Sequence, residues 1–189
     1  MGEVFDIREV VKVLQNGGTI LYPTDTIWGI GCDATNPKAV EKIYAMKERM
    51  ANKSLIILVD SLETLKQYVT EIPDLATDLM DSITDPLTII YPKARNLARN
   101  VPASDGSIGS RIPKDNFCLE LLRAFGKPIT STSANLSGSP SPVSFSKISP
   151  EIQEKVDYIV PVRESGIRMS RPSTIIRIDP EGSIQIIRN

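Results

Sequence analysis

Three short and uninterrupted apolar runs, TILYP from Thr19, LIILV over 55–59 and LTIIY over Leu87–Tyr91, are separated by stretches whose apolar residues recur at helical spacing. Short runs without polar alternation suit strands buried on both faces, and helical segments between them suit the crossovers of a layered α/β fold. Ahead of the first run, Ile7, Val10, Val11 and Leu14 mark a helix stopped by Gly17 and Gly18. Between the first two runs Asn36 caps a helix with Pro37 at its first position and Val40, Ile43 and Tyr44 along its face. Leu62, Leu65 and Val69 predict a further helix, and Pro73 opens another that carries Leu75, Leu79 and Ile83. The polar stretch 93–106 reads as a loop and SIGSRIP as a short strand, followed by a helix whose face holds Phe117, Leu121, Leu122 and Phe125. PITSTSANLSGSPSP begins as a strand and dissolves into a loop. A short helix over Pro150–Lys155 precedes the segments DYIVPV, STIIRID and SIQIIR, the last two joined by a Pro-Glu-Gly turn. The expected fold is one domain over 1–189, a three-layer α/β structure with a twisted mixed sheet, parallel and antiparallel, flanked by helices.

The chain has no histidine, which removes Ser-His-Asp and Cys-His catalysis and the usual zinc sites. What remains for chemistry is carboxylates, lysines, arginines, bound cations and positioning. At 189 residues the chain can bury a substantial core, and a net charge of −1 gives no protein-wide basic field for nucleic acid. No apolar run approaches a membrane span, and MGEVFDIREV carries acids where a signal peptide carries bases, so a cytoplasmic protein is expected. Cys32 and Cys118 lack metal-ligand or redox spacing and read as small buried hydrophobes.

In YPTDTIWGIG a buried strand passes into Pro, two Thr and an Asp, then into what reads as a glycine-rich turn. Strand ends of this kind are where α/β proteins hold ligands. Lys47 falls on the same helical face as Val40, Ile43 and Tyr44, and Arg49 and Lys53 follow in KERMANK. Lys47 reads either as a helix-end lysine running out to water or as part of a cationic cluster that an anion such as ATP phosphates would neutralise. STSANLSG reads either as a serine-rich surface loop or as a donor-rich nest for a phosphate or ribose. Arg111, flanked by Ile108 and Ile112, needs an acidic partner or a ligand carboxylate. RPSTIIRID puts Ser173 and Thr174 at a strand entrance. Asp25 and Asp33 read as capping or turn residues first and Mg²⁺ contacts second, and Trp28 as core first and a base-stacking ring second. No GxxxxGK[ST] motif occurs, so a nucleotide site here is unorthodox.

In order and spacing, YPTDTIWGIGCDA, KER followed by Lys53 and LIIL, GSRIP, TSTSANLSGSPSP and RPSTIIRI resemble the YrdC-type threonylcarbamoyl-AMP synthase family in its short, single-domain form. The resemblance implies an enzyme that joins L-threonine, bicarbonate or CO₂ and ATP into threonylcarbamoyl-AMP with release of pyrophosphate, Mg²⁺ arriving with ATP and no separate protein metal site. It implies a product used by threonylcarbamoyl-transfer machinery on the tRNA adenosine next to the anticodon, and weak RNA binding at most. By the same carry-over Thr26, Arg111, Ser131 and Ser173 contact threonine. Lys47, Arg49 and Lys53 are the catalytic cations at the ATP phosphates, and Ser133, Asn135 and Arg188 contact the nucleotide. The chain departs from the family pattern at Met50, at Ser54-Leu55, at Leu58 where some relatives carry histidine, and at Ser110. The rival readings are an RNA-binding or ribosome-associated relative without synthase chemistry and a carbamoyl-transfer enzyme with another acceptor. The intact KxR and SxN pair favours the synthase.

Overall fold

The computed structural model describes residues 6–48, 54–161, 171–179 and 181–189. Each segment's local chemistry sets its element. Helix α1 (Ile7–Gln15) starts where the Asp6 carboxylate accepts from Arg8 N and ends before Gly17, whose φ of 73° few other residues adopt. Strand β1 (Ile20–Tyr22) follows, then β2 (Gly29–Gly31). Helix α2 (Pro37–Met46) is capped by Asn36, whose side chain accepts from Lys38 N and Ala39 N. The chain continues through β3 (Ile56–Leu58), the single turn α3 (Leu62–Leu65), α4 (Asp74–Ser82), β4 (Leu87–Tyr91), β5 (Ile108–Arg111), α5 (Asn116–Phe125), capped by Asp115, and β6 (Ile129–Ser133). A short 3₁₀ turn (Phe145–Lys147), α6 (Pro150–Lys155), β7 (Tyr158–Ile159), β8 (Thr174–Ile178) and β9 (Ile184–Arg188) complete it.

The strands form one mixed sheet in the order β7-β1-β2-β6-β3-β5-β4-β8-β9, with parallel pairs β1/β7, β3/β5 and β4/β8 among antiparallel ones. Strand alternation splits the core in two. Ile20, Tyr22, Leu58 and Ile129 pack with Val10 and Leu14 of α1 and Leu121, Leu122 and Phe125 of α5, while Leu21, Ile30 and Ile57 pack with Val40 and Ile43 of α2 and Ile152 of α6. Helices therefore cover both faces, which gives the expected three layers. No described helix is long and apolar enough to cross a membrane.

Two expectations need correction. The GIG segment is a strand paired antiparallel to β1, with Leu21 opposite Ile30, rather than a turn, and neither Gly29 nor Gly31 has a positive φ. Glycine is needed at 31 for space, because a Cβ there would lie 2.5 Å from Thr130 O. The helix around Leu62 stops at Leu65, because Val69 leaves it to bridge Ala94. The 93–106 loop is fastened to its neighbours: Ala98 N donates to Ala34 O at 2.9 Å, Asn100 Nδ2 to Pro37 O at 3.0 Å, and Val101 is fully buried.

Candidate active site

The α1–α5 pair covers only part of its sheet face. Register carries the rest: Ser131 of β6, Ile56 of β3, Gly109 of β5 and Ile90 of β4 stand side by side. This row floors a cavity of about 280 Å³ walled by Thr24, Thr26 and Trp28 on one side and by Pro172, Ser173, Ile187 and Arg188 on the other. Its volume is near the lower end for small-molecule sites, roughly 300 Å³. Gly109 opens the floor, since a Cβ there would sit 3.0 Å from Ile56 Cγ2 and 3.3 Å from Thr88 Cγ2.

Two guanidiniums meet at this cavity, and no carboxylate lines it among the described residues. Arg111 is 3% exposed, donates from Nη1 to Asp25 Oδ1 and reaches Thr26 Oγ1 from Nη2 at 3.5 Å. Its buried Nε has no partner among the described residues. Arg188 donates to Ser173 O from Nη2 at 2.8 Å and from Nε at 3.2 Å, and Ser173 Oγ pairs with Thr88 Oγ1 at 2.8 Å. Desolvation, and then the charge of Arg111, push the Arg188 pKa below its ordinary value. Asp25 offsets part of the Arg111 charge, and the positive charge that remains at the cavity favours a bound anion.

The threonines order the lip. Thr24 Oγ1 accepts from Thr26 N at 3.1 Å, pairs with Thr26 Oγ1 at 2.8 Å and reaches Ile27 O at 2.7 Å, so the PTDT segment is closed by its own hydroxyls. Ser131 stands beside Tyr22, whose hydroxyl burial keeps protonated. Trp28, 8% exposed, packs on Phe145 with ring centroids 5.0 Å apart at 51°.

Thr26, Arg111, Ser131, Ser133, Ser173 and Arg188 are thus brought to one cavity. Lys47 and Asn135 are not among its lining residues. Lys47 caps α2, is 2% exposed, and donates from Nζ to Ser133 O and to Asn135 O, the latter at 2.6 Å. Its amine neither runs out to water nor lies in the cavity; it fastens the STSAN loop to the end of α2. Asn135 Nδ2 donates to Ser139 O at 2.6 Å and Leu136 O at 2.9 Å, folding the loop on itself. Arg49, Lys53 and Met50 lie outside the described residues. Asp33 does turn work: Oδ1 accepts from Thr35 N at 2.8 Å and Oδ2 from Lys127 at 2.9 Å. Among the described residues no cluster of three or more His, Cys, Asp or Glu could hold a metal ion.

Sequence reasoning missed the Asp25–Arg111 pair, although it asked for an acid beside Arg111 and noted Asp25 separately. The two lie 86 positions apart, and only the sheet register brings them together. It also missed Thr88 and Phe145, which carry no motif.

A family model for the Sua5/YciO/YrdC domain, described as telomere recombination, matches residues 12–189. The threonylcarbamoyl-AMP synthase of Vibrio campbellii is 32% identical over 91% of this chain and 98% of its own length. A crystal structure of Pyrococcus abyssi Sua5 complexed with L-threonine superposes with TM-score 0.81 at 31% identity, covering 90% of this chain. This chain spans only 50% of that archaeal protein. The Escherichia coli YciO structure matches with TM-score 0.83 at 26% identity, covering 97% of this chain and 88% of its own. With a match across nearly the whole chain and a fold shared with both solved structures, the protein belongs to the Sua5/YciO/YrdC family.

Proposed function

We propose that the chain is an L-threonylcarbamoyladenylate synthase. It condenses L-threonine, bicarbonate or CO₂ and ATP into threonylcarbamoyl-AMP and releases pyrophosphate. The observation that carries the reading is the convergence of Arg111 and Arg188 on a cavity whose lining includes no carboxylate among the described residues, in a family whose relatives include named threonylcarbamoyl-AMP synthases. The threonine held by the Pyrococcus abyssi protein supports an amino-acid substrate.

In this reading Arg111 receives the threonine carboxylate, with Thr26, Ser131 and Ser173 around the rest of the amino acid. Ser133, Asn135 and Arg188 serve the nucleotide, and Arg49 and Lys53 bring charge to its phosphates. Lys47, seated on the carbonyls of Ser133 and Asn135, brings its charge to the loop that bears those nucleotide contacts. The threonine amine takes up CO₂ to form a carbamate, and a carbamate oxygen attacks the α-phosphorus as pyrophosphate leaves. Both reactants are anions, so the barrier is repulsion and misalignment, which fixed cations lower without a histidine. In this reading Mg²⁺ enters with ATP and is held by its phosphates. The product then serves threonylcarbamoyl transfer to the tRNA adenosine next to the anticodon, in the cytoplasm.

The test is pyrophosphate release from ATP with bicarbonate, comparing L-threonine, L-serine and no amino acid. Release that requires threonine and needs far more of it after Arg111→Ala is the expected result. A protein that releases nothing under any of these conditions yet binds RNA would overturn the reading.

A further inference from the structure

The Arg111 guanidinium is settled on one side and short of partners on the other. Nη1 donates to Asp25 Oδ1, in a pair whose side chains are 2% and 11% exposed. Asp25 Oδ2 accepts from Lys114 N at 2.9 Å, one residue before Asp115, the N-cap of α5. Both carboxylate oxygens are therefore committed, one to the cation and one to the backbone that starts a core helix. Asp25 itself does not line the cavity, whereas Arg111 does. Among the described residues, the Arg111 donors short of partners are Nε, which has none, and Nη2, which has only the 3.5 Å contact to Thr26. Those two N–H groups form the side-on edge of the guanidinium, whose parallel bonds match the two oxygens of a carboxylate.

A guanidinium is planar, so holding Nη1 to a carboxylate that is itself pinned to α5 fixes the whole fork. We propose that Asp25 is a positioning residue for amino-acid recognition: it orients Arg111 so that the Nε–Nη2 edge is kept for the carboxylate of the substrate. The inference rests on the reading that Arg111 receives an amino-acid carboxylate. It also explains why the position needs an acid. An asparagine supplies one acceptor and one NH₂, so either Arg111 Nη1 or Lys114 N would face a donor.

The experiment measures KM for L-threonine, KM for ATP and kcat in pyrophosphate release for wild type, Asp25→Asn, Asp25→Glu, Arg111→Ala and the double variant Asp25→Asn with Arg111→Ala. For Asp25→Asn the threonine KM is expected to rise roughly tenfold to a hundredfold, the cost of an ångström-scale misplacement, while the ATP KM stays within a factor of two. Asp25→Glu, which keeps two acceptor oxygens, restores part of the threonine KM. Added to Arg111→Ala, the Asp25 change has no further effect, because it acts only through the guanidinium. Equal loss for both substrates, or a lower kcat with both KM values unchanged, makes Asp25 merely structural and overturns the proposal. A further rise in threonine KM in the double variant means that Asp25 touches the substrate itself, which also overturns it. If wild type does not depend on threonine, the functional reading fails and this proposal falls with it. If Arg111→Ala raises the threonine KM and Asp25→Asn does not, the functional reading stands and only the role of Asp25 falls. Should Asp25→Asn not fold, Asp25→Glu carries the same comparison, a threonine KM as low as that of wild type at an unchanged melting temperature meaning that fork placement is not set from this position.

Discussion

Gly29 and Gly31 stand on one strand and face the same side, yet alanine at the two positions has opposite consequences. At Gly31 an added Cβ would lie 2.5 Å from Thr130 O, 2.8 Å from Ile129 Cγ2 and 2.9 Å from Tyr22 Cε1. The carbonyl belongs to the neighbouring strand β6 and cannot swing away without moving the chain that bears Ser131 and Ser133. Overpacking of this kind costs about 1–3 kcal/mol, and each ladder hydrogen bond weakened adds about 1 kcal/mol. Alanine returns roughly 0.5–1 kcal/mol through its smaller loss of backbone freedom. With one ladder bond weakened, the net for Gly31→Ala is about 1–3.5 kcal/mol, which at about 2–4 °C per kcal/mol for a chain of this size lowers the melting temperature by roughly 2–14 °C. At Gly29 the nearest atoms are Ser131 Oγ and Tyr22 Cε1, both at 3.4 Å, an ordinary contact. Gly29→Ala therefore melts within about 2 °C of wild type, the entropy gain offsetting any slight crowding. Its effect falls on ligand binding instead, because Gly29 lines the cavity. Thermal and urea unfolding, alongside threonine-dependent pyrophosphate release, separate the two. If Gly31→Ala melts with wild type, or the two variants melt alike, close approach of β6 is not why glycine stands at 31.

Lys47→Met removes the ammonium donor from Asn135 O and Ser133 O. Loss of about 1–3 kcal/mol is expected, with faster amide exchange over 134–137, and unchanged protection there would refute the fastening role. Burial pushes the Cys32 thiol from 9.0 up to about 12, against the opposing hydrogen bond to Thr130. The folded state then keeps a proton that the unfolded chain releases, so stability is full below pH 9 and falls as pH rises toward 12. The slope is about 1.4 kcal/mol per pH unit for each such thiol, and urea midpoints between pH 8 and 10.5 check it, Cys32→Ala flattening the decline. Phe145→Ala uncovers the single tryptophan, Trp28, so its emission shifts to the red and acrylamide quenching rises. ATP or threonine in the cavity should reverse part of that change, since Trp28 lines it.

Most of the layer order was legible because it depends on local chemistry. Asn36 ahead of Pro37 caps α2 with its side chain on Lys38 N and Ala39 N, and the apolar runs at Leu55 and Leu87 become β3, at the sheet's centre, and β4, two strands from it. The glycine strand was not legible, because Gly carries no side chain from which alternation can be read. What demands glycine at 31 is Thr130, 99 positions later, a neighbour that only the folded sheet supplies. The site divides along the same line. Arg111 could be picked out because it is a charged residue between Ile108 and Ile112, where it is costly without a partner, Ser131 and Ser133 because they open the hydroxyl-rich STSANLSG stretch, and Ser173 because it stands at a strand entrance, whereas Arg188 was indicated by the family resemblance alone. Asp25 read as a cap or turn residue first and a metal contact second, and neither reading points to Arg111. Its role appears only when β3, β5 and β6 place Arg111 behind the lip formed by Thr24 and Thr26.

A lysine at the end of an apolar helical face suggested a cation held ready for phosphate, but the structure has its amine between two carbonyls of the STSAN loop. The Lys47 amine, 2% exposed, is seated on the backbone carbonyls of Ser133 and Asn135. Its field therefore acts on the loop next to it. Ser137 N donating to Lys47 O at 3.1 Å closes the connection from the other side, so the helix end and the loop hold each other. Lys47 thus links two jobs that the sequence presented as alternatives: it terminates α2 as a structural lysine, and it delivers positive charge to the segment that bears Ser133 and Asn135. For the proposed reaction between two anions, a lysine tied to backbone on both sides is a cation held in place before the substrates arrive.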